Sequence, residues 1–152
     1  MRGYFAIGIE NGKTKANLGT LWRSAHVFGA AYIFVIGKRY EKQASDTTKA
    51  WRSIPLFHYV TFEDFYQAMP HDCRLVGIEI TSRARSLPLT CHDERCIYLL
   101  GAEDCGLSKQ AIEKCHRFVQ IPGSRCLNVA VAGSIVMYDR IAKADQKGIC
   151  LT

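Results

Sequence analysis

Short apolar runs of strand length alternate with segments of helical periodicity along most of this chain, and that alternation admits few folds. Residues 4–9 read as a strand, and residues 17–29 as a helix in which Leu18, Leu21, Trp22, Ala25 and Phe28 recur with helical spacing. Arg23 falls off that stripe. A strand over 31–36 precedes a polar loop over 37–49 without periodicity. A short strand over 56–60 and a helix through 69, with Thr61 as N-cap, come next. Strands over 74–80, 96–100 and 117–121 then enclose a basic loop at Arg83 and Arg85 and a helix over 108–115 capped by Ser108. A last helix begins near Asn128. The order predicts an α/β domain with a largely parallel sheet and helices on both faces.

At 152 residues the chain fits one domain over its whole length, 1–152, and is long enough to bury a core. Lys and Arg outnumber Asp and Glu by 20 to 14, a formal charge of +6 that favours polyanionic partners. Lys13, Lys15, Arg23, Lys38, Arg39 and Lys42 fall in the first third with Trp22, Tyr32 and Tyr40 among them, a mixture suited to phosphate contacts; a solvated face accounts for it almost as well. The seven cysteines are odd in number and form no C-x-x-C pair, so neither a disulfide framework nor a zinc site is indicated. No apolar stretch reaches the roughly 18 residues of a membrane span. A cytoplasmic protein without metal or membrane attachment is the expectation.

The last helix carries Val129, Val131, Ile135, Val136, Met137 and Ile141, with Ala130 and Ala132 on other faces. A helix apolar on most of its circumference is buried, and in a domain of this size its second face is expected to pack on another copy, making a homodimer. Two local patterns carry possible chemistry. After the first strand, Gly8 to Thr14 resembles a phosphate-binding G-x-x-x-x-G-K-[ST] loop, but with one residue too few between the glycines and a helix that begins only at Asn17. Cys126 opens a helix whose N-terminus would favour a thiolate, yet none of the five histidines sits in a cysteine-hydrolase signature. An ordinary glycine turn and a small apolar thiol explain these as well.

Three segments stand out together: Asn17 to Gly29 (NLGTLWRSAHVFG), Leu100 to Ser108 (LGAEDCGLS), and Ile121-Pro-Gly followed by Cys126-Leu-Asn128-Val-Ala-Val-Ala132. In order and spacing they resemble the three motifs of the SPOUT superfamily of RNA methyltransferases, in its SpoU branch of tRNA and rRNA ribose 2′-O-methyltransferases. The resemblance spans residues 17–138. It implies a SPOUT-type domain whose C-terminal chain is threaded into a trefoil knot, an exception to unknotted connectivity. It also implies S-adenosylmethionine as cofactor, RNA as substrate and a dimer built on helices near the cofactor site; at this length the chain is expected to carry no appended RNA-binding domain.

Carried over by that resemblance, the active-site residues are Asn17, Arg23, Glu103 and Asn128. The cofactor would be held near Ile78, Ile80, Gly101, Ile121, Cys126 and Leu127. RNA contacts would come from Lys13, Lys15, Arg23, Lys38, Arg39, Arg83, Arg85 and Arg125. The chain departs from the pattern where Cys126 replaces a common serine, and the loop before it is shorter than in many relatives. The cysteine is thus expected to occupy a binding position. Arg23 is either the base for the attacking hydroxyl or, since arginine holds its proton to a pKa above 12, a charge that stabilises the developing alkoxide. The rival readings are a knotted RNA-binding module without catalysis and a nucleotide hydrolase acting through Lys13. tRNA suits a chain of this size better than rRNA.

Overall fold

The computed structural model describes residues 3–37 and 53–147. The 37–49 loop, with Lys38, Arg39, Tyr40 and Lys42, falls almost entirely outside them. Seven strands form one sheet in the order β3-β2-β1-β6-β4-β7-β5, and every pairing is parallel. They are β1 (Tyr4–Glu10), β2 (Tyr32–Ile36), β3 (Leu56–Tyr59), β4 (Arg74–Ile78), β5 (Ala84–Ser86), β6 (Arg95–Leu100) and β7 (Arg117–Gln120). The helices are α1 (Lys15–Val27), α2 (Phe62–Ala68), α3 (Lys109–Lys114) and α4 (Val129–Lys147).

Parallel strands buried on both faces read as nearly unbroken apolar runs, and their side chains alternate between two cores. Phe5, Ile7 and Ile9 of β1, with Tyr98 and Leu100 of β6, pack under Leu21 and Trp22 of α1 and Val136 and Met137 of α4. Ala6, Phe34, Leu75, Ile97 and Leu99 meet Phe62 and Phe65 of α2 and Ala111 of α3 on the other face. The caps read from sequence are in place. Thr61 forms a reciprocal capping box with Asp64, and the Ser108 hydroxyl accepts from the Ala111 N–H at 3.1 Å.

Several boundaries differ from the sequence reading. α1 starts at Lys15 and stops at Val27, beyond which Gly29 takes a positive φ of 78° that turns the chain into β2. The strand expected over 74–80 ends at Ile78, and the one over 117–121 ends at Gln120. The basic loop at Arg83 and Arg85 contains β5, an edge strand that pairs only with β7. Its three residues are too few for period-two alternation to register.

The largest departure is in α4. Gly133, Val136 and Met137 face the sheet, and a Cβ at Gly133 would lie 2.5 Å from Leu21 Cδ1, so the glycine sets how closely α4 approaches α1. Val131 and Tyr138 are exposed, whereas Arg140 is buried beneath the helix. The expectation that apolar residues alone bury this helix is corrected at Arg140; the exposed side is open to the packing on another copy that the sequence reading expects. Arg140 reaches the Asp93 and Glu94 carbonyls at 2.7 and 2.9 Å, and its guanidinium lies 5.2 Å from the Phe5 ring centre. Lys143 donates to the Leu87 and Thr90 carbonyls at 2.6 and 2.8 Å. His92 bridges the Tyr98 hydroxyl at 2.5 Å and Asp139 at 2.8 Å. The second half of α4 is thereby pinned to the segment between β5 and β6 by polar groups that leave no buried side-chain atom without a partner among the described residues.

Burial pushes the pKa of His92 below its ordinary value, outweighing the upward pull of Asp139. A folded-state pKa lying below the unfolded one means that the contribution of this group is fully present above about pH 6.5. It is lost as pH falls towards and through the folded value. Urea denaturation across this window is expected to show stability declining from about pH 6.5 downward. The decline should be shallower in His92→Gln, which cannot take up the proton.

Candidate active site

With every strand parallel, the C-terminal ends of β1, β4, β6 and β7 lie along one rim, the usual position for a ligand site in such sheets. The segments leaving β4, β6 and β7 surround a cavity of about 430 Å³ at that rim. Ile78, Ile80, Gly101, Ile121, Cys126 and Leu127 all line it, as do Glu103 and Arg125. One part of the wall is aliphatic. The polar part holds the carboxylates of Glu79, Glu103 and Asp104 against the single guanidinium of Arg125.

Beside the cavity, three residues distant in sequence form a hydrogen-bonded chain. Asn17 on the first turn of α1 donates through Nδ2 to Glu103 Oε1 at 2.7 Å, and Asn128 donates through Nδ2 to Asn17 Oδ1 at 2.9 Å. Asn128 Oδ1 in turn accepts from the Ala130 and Val131 N–H groups at 2.9 and 3.3 Å, so the same side chain caps α4. The other Glu103 oxygen accepts from the Lys13 N–H at 3.0 Å. Burial raises the Glu103 pKa, but the Lys13 N–H and the Asn17 amide outweigh it and hold the carboxyl below its ordinary value. Glu103 is therefore ionised at neutral pH.

Arg23 does not join this chain. It lies six residues beyond Asn17, roughly 240° around the helix and about 9 Å along it, and is exposed. Val27, 70% exposed, shares that outward side. The predicted RNA contacts are also scattered. Arg83 folds back, its Nη1 donating to the Ile112 carbonyl at 3.2 Å and its guanidinium 4.8 Å from the Phe118 ring centre. Arg85 is exposed on β5, Lys15 is exposed on the first turn of α1, and Arg125 stands at the cavity. Lys13 pairs with Asp104, whose carboxyl is pulled down to about 2 chiefly by that lysine. Lys38 and Arg39 lie outside the described residues.

The glycine-rich segment after β1 has another use than a phosphate cradle. Its backbone N–H groups turn to the protein's own acceptors, Asn11 to the Ile36 carbonyl at 2.8 Å and Lys13 to Glu103. Glu10, at the end of β1, is buried and accepts from the Ser108 N–H and hydroxyl at 2.9 and 2.6 Å. Gly101 is required by close approach, since a Cβ there would sit 2.1 Å from the Gly106 carbonyl carbon. Glu10 and Glu79 escaped the sequence reading. The available signal was their position immediately after two apolar strand runs. Cys126 is exposed on the cavity wall, and no histidine stands beside it there. Among the described residues no group of His, Cys, Asp or Glu is arranged to hold a metal ion.

The SpoU rRNA Methylase family matches residues 4–138 of this chain. A Mus musculus protein described as the tRNA (guanosine(18)-2′-O)-methyltransferase TARBP1 is 28% identical, over 81% of this chain but only 8% of that protein's own length. Among solved structures, the TrmH/SpoU tRNA modifying enzyme of A. aeolicus superposes with a TM-score of 0.84 at 17% identity, covering 97% of this chain and 78% of that one. The AdoMet-bound rRNA methyltransferase of Sinorhizobium meliloti superposes with a TM-score of 0.81 at 20% identity, covering 94% and 57%. At these identities the structural likeness establishes the fold.

Because Asn128 both caps α4 and donates to Asn17, the two roles can be separated. Asn128→Ala is expected to lower the unfolding free energy by about 1 kcal/mol through loss of the cap. Asn128→Asp keeps a capping oxygen and should cost less than about half of that. In both variants the link to Asn17 is lost, and the Asn17 side-chain amide resonances should shift. Denaturation together with NMR of the side-chain amides checks both parts.

Proposed function

Since the chain belongs to the SpoU rRNA methylase family, we propose that it transfers a methyl group from S-adenosylmethionine to a ribose 2′-OH of RNA. The observation that carries this reading is the Glu103–Asn17–Asn128 chain, which brings the three motifs together beside a cavity that Glu103 itself lines. The cavity suits the cofactor chemically. Ile78, Leu100, Ile121 and Leu127 offer an aliphatic surface for a purine ring, and Glu79, Glu103 and Asp104 favour a cation such as a sulfonium.

When bound, S-adenosylmethionine supplies an activated methyl group, which leaves orientation and proton handling to the protein. Ile78, Ile80, Gly101, Ile121, Cys126 and Leu127 would hold the cofactor, Cys126 as a small wall residue rather than a nucleophile. Asn17, itself held by Asn128, fixes the ionised Glu103. The 2′-OH loses its proton as it attacks, and a guanidinium with a pKa above 12 serves more readily as a stabiliser of the alkoxide than as the base. Arg23 faces outward with Val27 on α1, and the neighbouring α4, whose Tyr138 ring lies 6.2 Å from that of Phe28, leaves Val131 and Tyr138 exposed. A homodimer formed on this α1–α4 face would cover those apolar groups and carry the Arg23 of one protomer towards the site of the other.

RNA would bind chiefly through its phosphates, to Lys15, Arg85 and Arg125 together with the basic segment holding Lys38 and Arg39. Lys13 and Arg83 would contribute once released from their present partners. A tRNA substrate is favoured by the tRNA methyltransferase relative and by the compact site. The trefoil threading of the C-terminal chain is inferred from the family. The six cysteines of the described residues are all free, which agrees with a reducing cytoplasm.

Calorimetric titration with S-adenosylmethionine, with ATP as control ligand, tests the cofactor without any choice of RNA. Saturable binding of S-adenosylmethionine and no heat from ATP are expected. Tritiated methyl transfer to fractionated tRNA should then be lost in Arg23→Ala while cofactor affinity stays within about twofold, as expected for a group that acts on the hydroxyl alone. RNA affinity should fall steeply with salt. Folded protein that binds RNA but neither binds the cofactor nor transfers methyl would replace this reading with that of a binding module.

A further inference from the structure

Two glutamates stand on either side of Gly101. Ile9 of β1, Leu100 of β6 and Ile78 of β4 share one register row, so Glu10, Gly101 and Glu79 follow in the next. The three apolar residues belong to the core beneath α1 and α4. Strand alternation turns Glu10 and Glu79 the other way, towards the segment that leaves β6 and folds back over the sheet rim. Glu10 holds Ser108 there. Glu79 Oε2 accepts from the Leu107 N–H at 3.1 Å, and Oε1 accepts from the Ile80 N–H at 2.9 Å.

Between these anchors, residues 102–106 form a small excursion closed at its base by reciprocal Ala102–Gly106 hydrogen bonds of 3.1 and 2.9 Å. Glu103 sits on it. Gly106 has a φ of 68°, and a Cβ at that position would lie 2.4 Å from Glu79 Oε2. The carboxylate therefore occupies the space that restricts position 106 to glycine. The two glutamates differ in kind. Glu10 is 2% exposed and its partner Ser108 also caps α3, which makes it part of the fold. Glu79 is half-buried on the cavity wall, and its partner lies four residues after Glu103.

We propose that Glu79 is a positioning residue for methyl transfer: its bond to the Leu107 N–H holds the 102–106 excursion so that Glu103 meets Asn17 and the loop backbone faces the cofactor. The link to methyl transfer rests on the function proposed above. The ordering of the loop does not.

Amide hydrogen exchange on the ligand-free protein tests the loop directly. In Glu79→Ala, the amides of 102–107 should exchange on the order of tenfold faster, the loss expected for a bond to a charged acceptor. The melting temperature and the exchange of β6 should be unchanged. Gly106→Ala, which displaces the carboxylate from the other side, should give the same local acceleration. Glu79→Gln keeps one acceptor oxygen for Leu107 and should restore most of the protection.

Calorimetry on the same variants should then show S-adenosylmethionine affinity falling about tenfold in Glu79→Ala and less than about threefold in Glu79→Gln. Unchanged exchange at 102–107 in a folded Glu79→Ala protein overturns the proposal. So does a Gln variant with an ordered loop but the affinity of the Ala variant, since Glu79 would then act on the cofactor by charge. If wild-type protein binds no S-adenosylmethionine while the loop still loosens in Glu79→Ala, the cofactor reading falls and the loop assignment stands.

Discussion

Parallel pairing throughout the sheet means that each connection crosses a face and that all the strands point their C-terminal ends at one rim. Everything at the site follows from this. The ends of β1, β4, β6 and β7 lie side by side there, so the segments leaving β4, β6 and β7, from Ile78 to Ala132, meet around one cavity. Both faces must also be covered, and the helices of the first and third motifs share one of them. α1 and α4 pack against each other on the β1–β6 side, which places Asn17 beside Asn128 within hydrogen-bond reach.

The polar interactions divide into two sets with different tasks. One anchors α4 away from the cavity: Arg140, Lys143 and Asp139 on the helix meet His92, Tyr98 and carbonyl groups between β5 and β6. Burying a guanidinium is costly unless its donors find partners, and the backbone carbonyls supply them. The other set shapes the segment between β6 and α3. Glu10 and Glu79 grip its far end from the flanking strands, while Asn17 and the Lys13 N–H hold Glu103 at its tip. The glycine-rich segment after β1 belongs to this second set through the Lys13 N–H.

Some of this was legible from residue types alone. Thr61 and Ser108 announce helix starts because a short hydroxyl side chain satisfies an otherwise unpaired N–H, a local relation. The cavity-lining residues 78, 80, 101, 121, 126 and 127 were reached through motif resemblance, and they do surround one space. Glu10 and Glu79 were not reached. A carboxylate at a strand end looks solvated until the neighbouring strand's loop is seen folding over it. The inward turn of Arg140 was hidden for a related reason: which residues of α4 face the sheet depends on the strands beneath and on the segment that accepts the guanidinium.

By itself the sequence determined the alternation of strands and helices, the two-faced burial of the strands and the helix caps, because periodicity and capping are set by residues within a few positions of one another. It also carried the family resemblance, which rests on the order of three motifs. Only the tertiary structure decided the strand order, the joining of Asn17, Glu103 and Asn128, the isolation of Arg23 from them, and the grip of two glutamates on the loop that bears Glu103. These depend on contacts between residues up to 111 positions apart. Such contacts arise from the packing of whole elements, and no local pattern of residues encodes them.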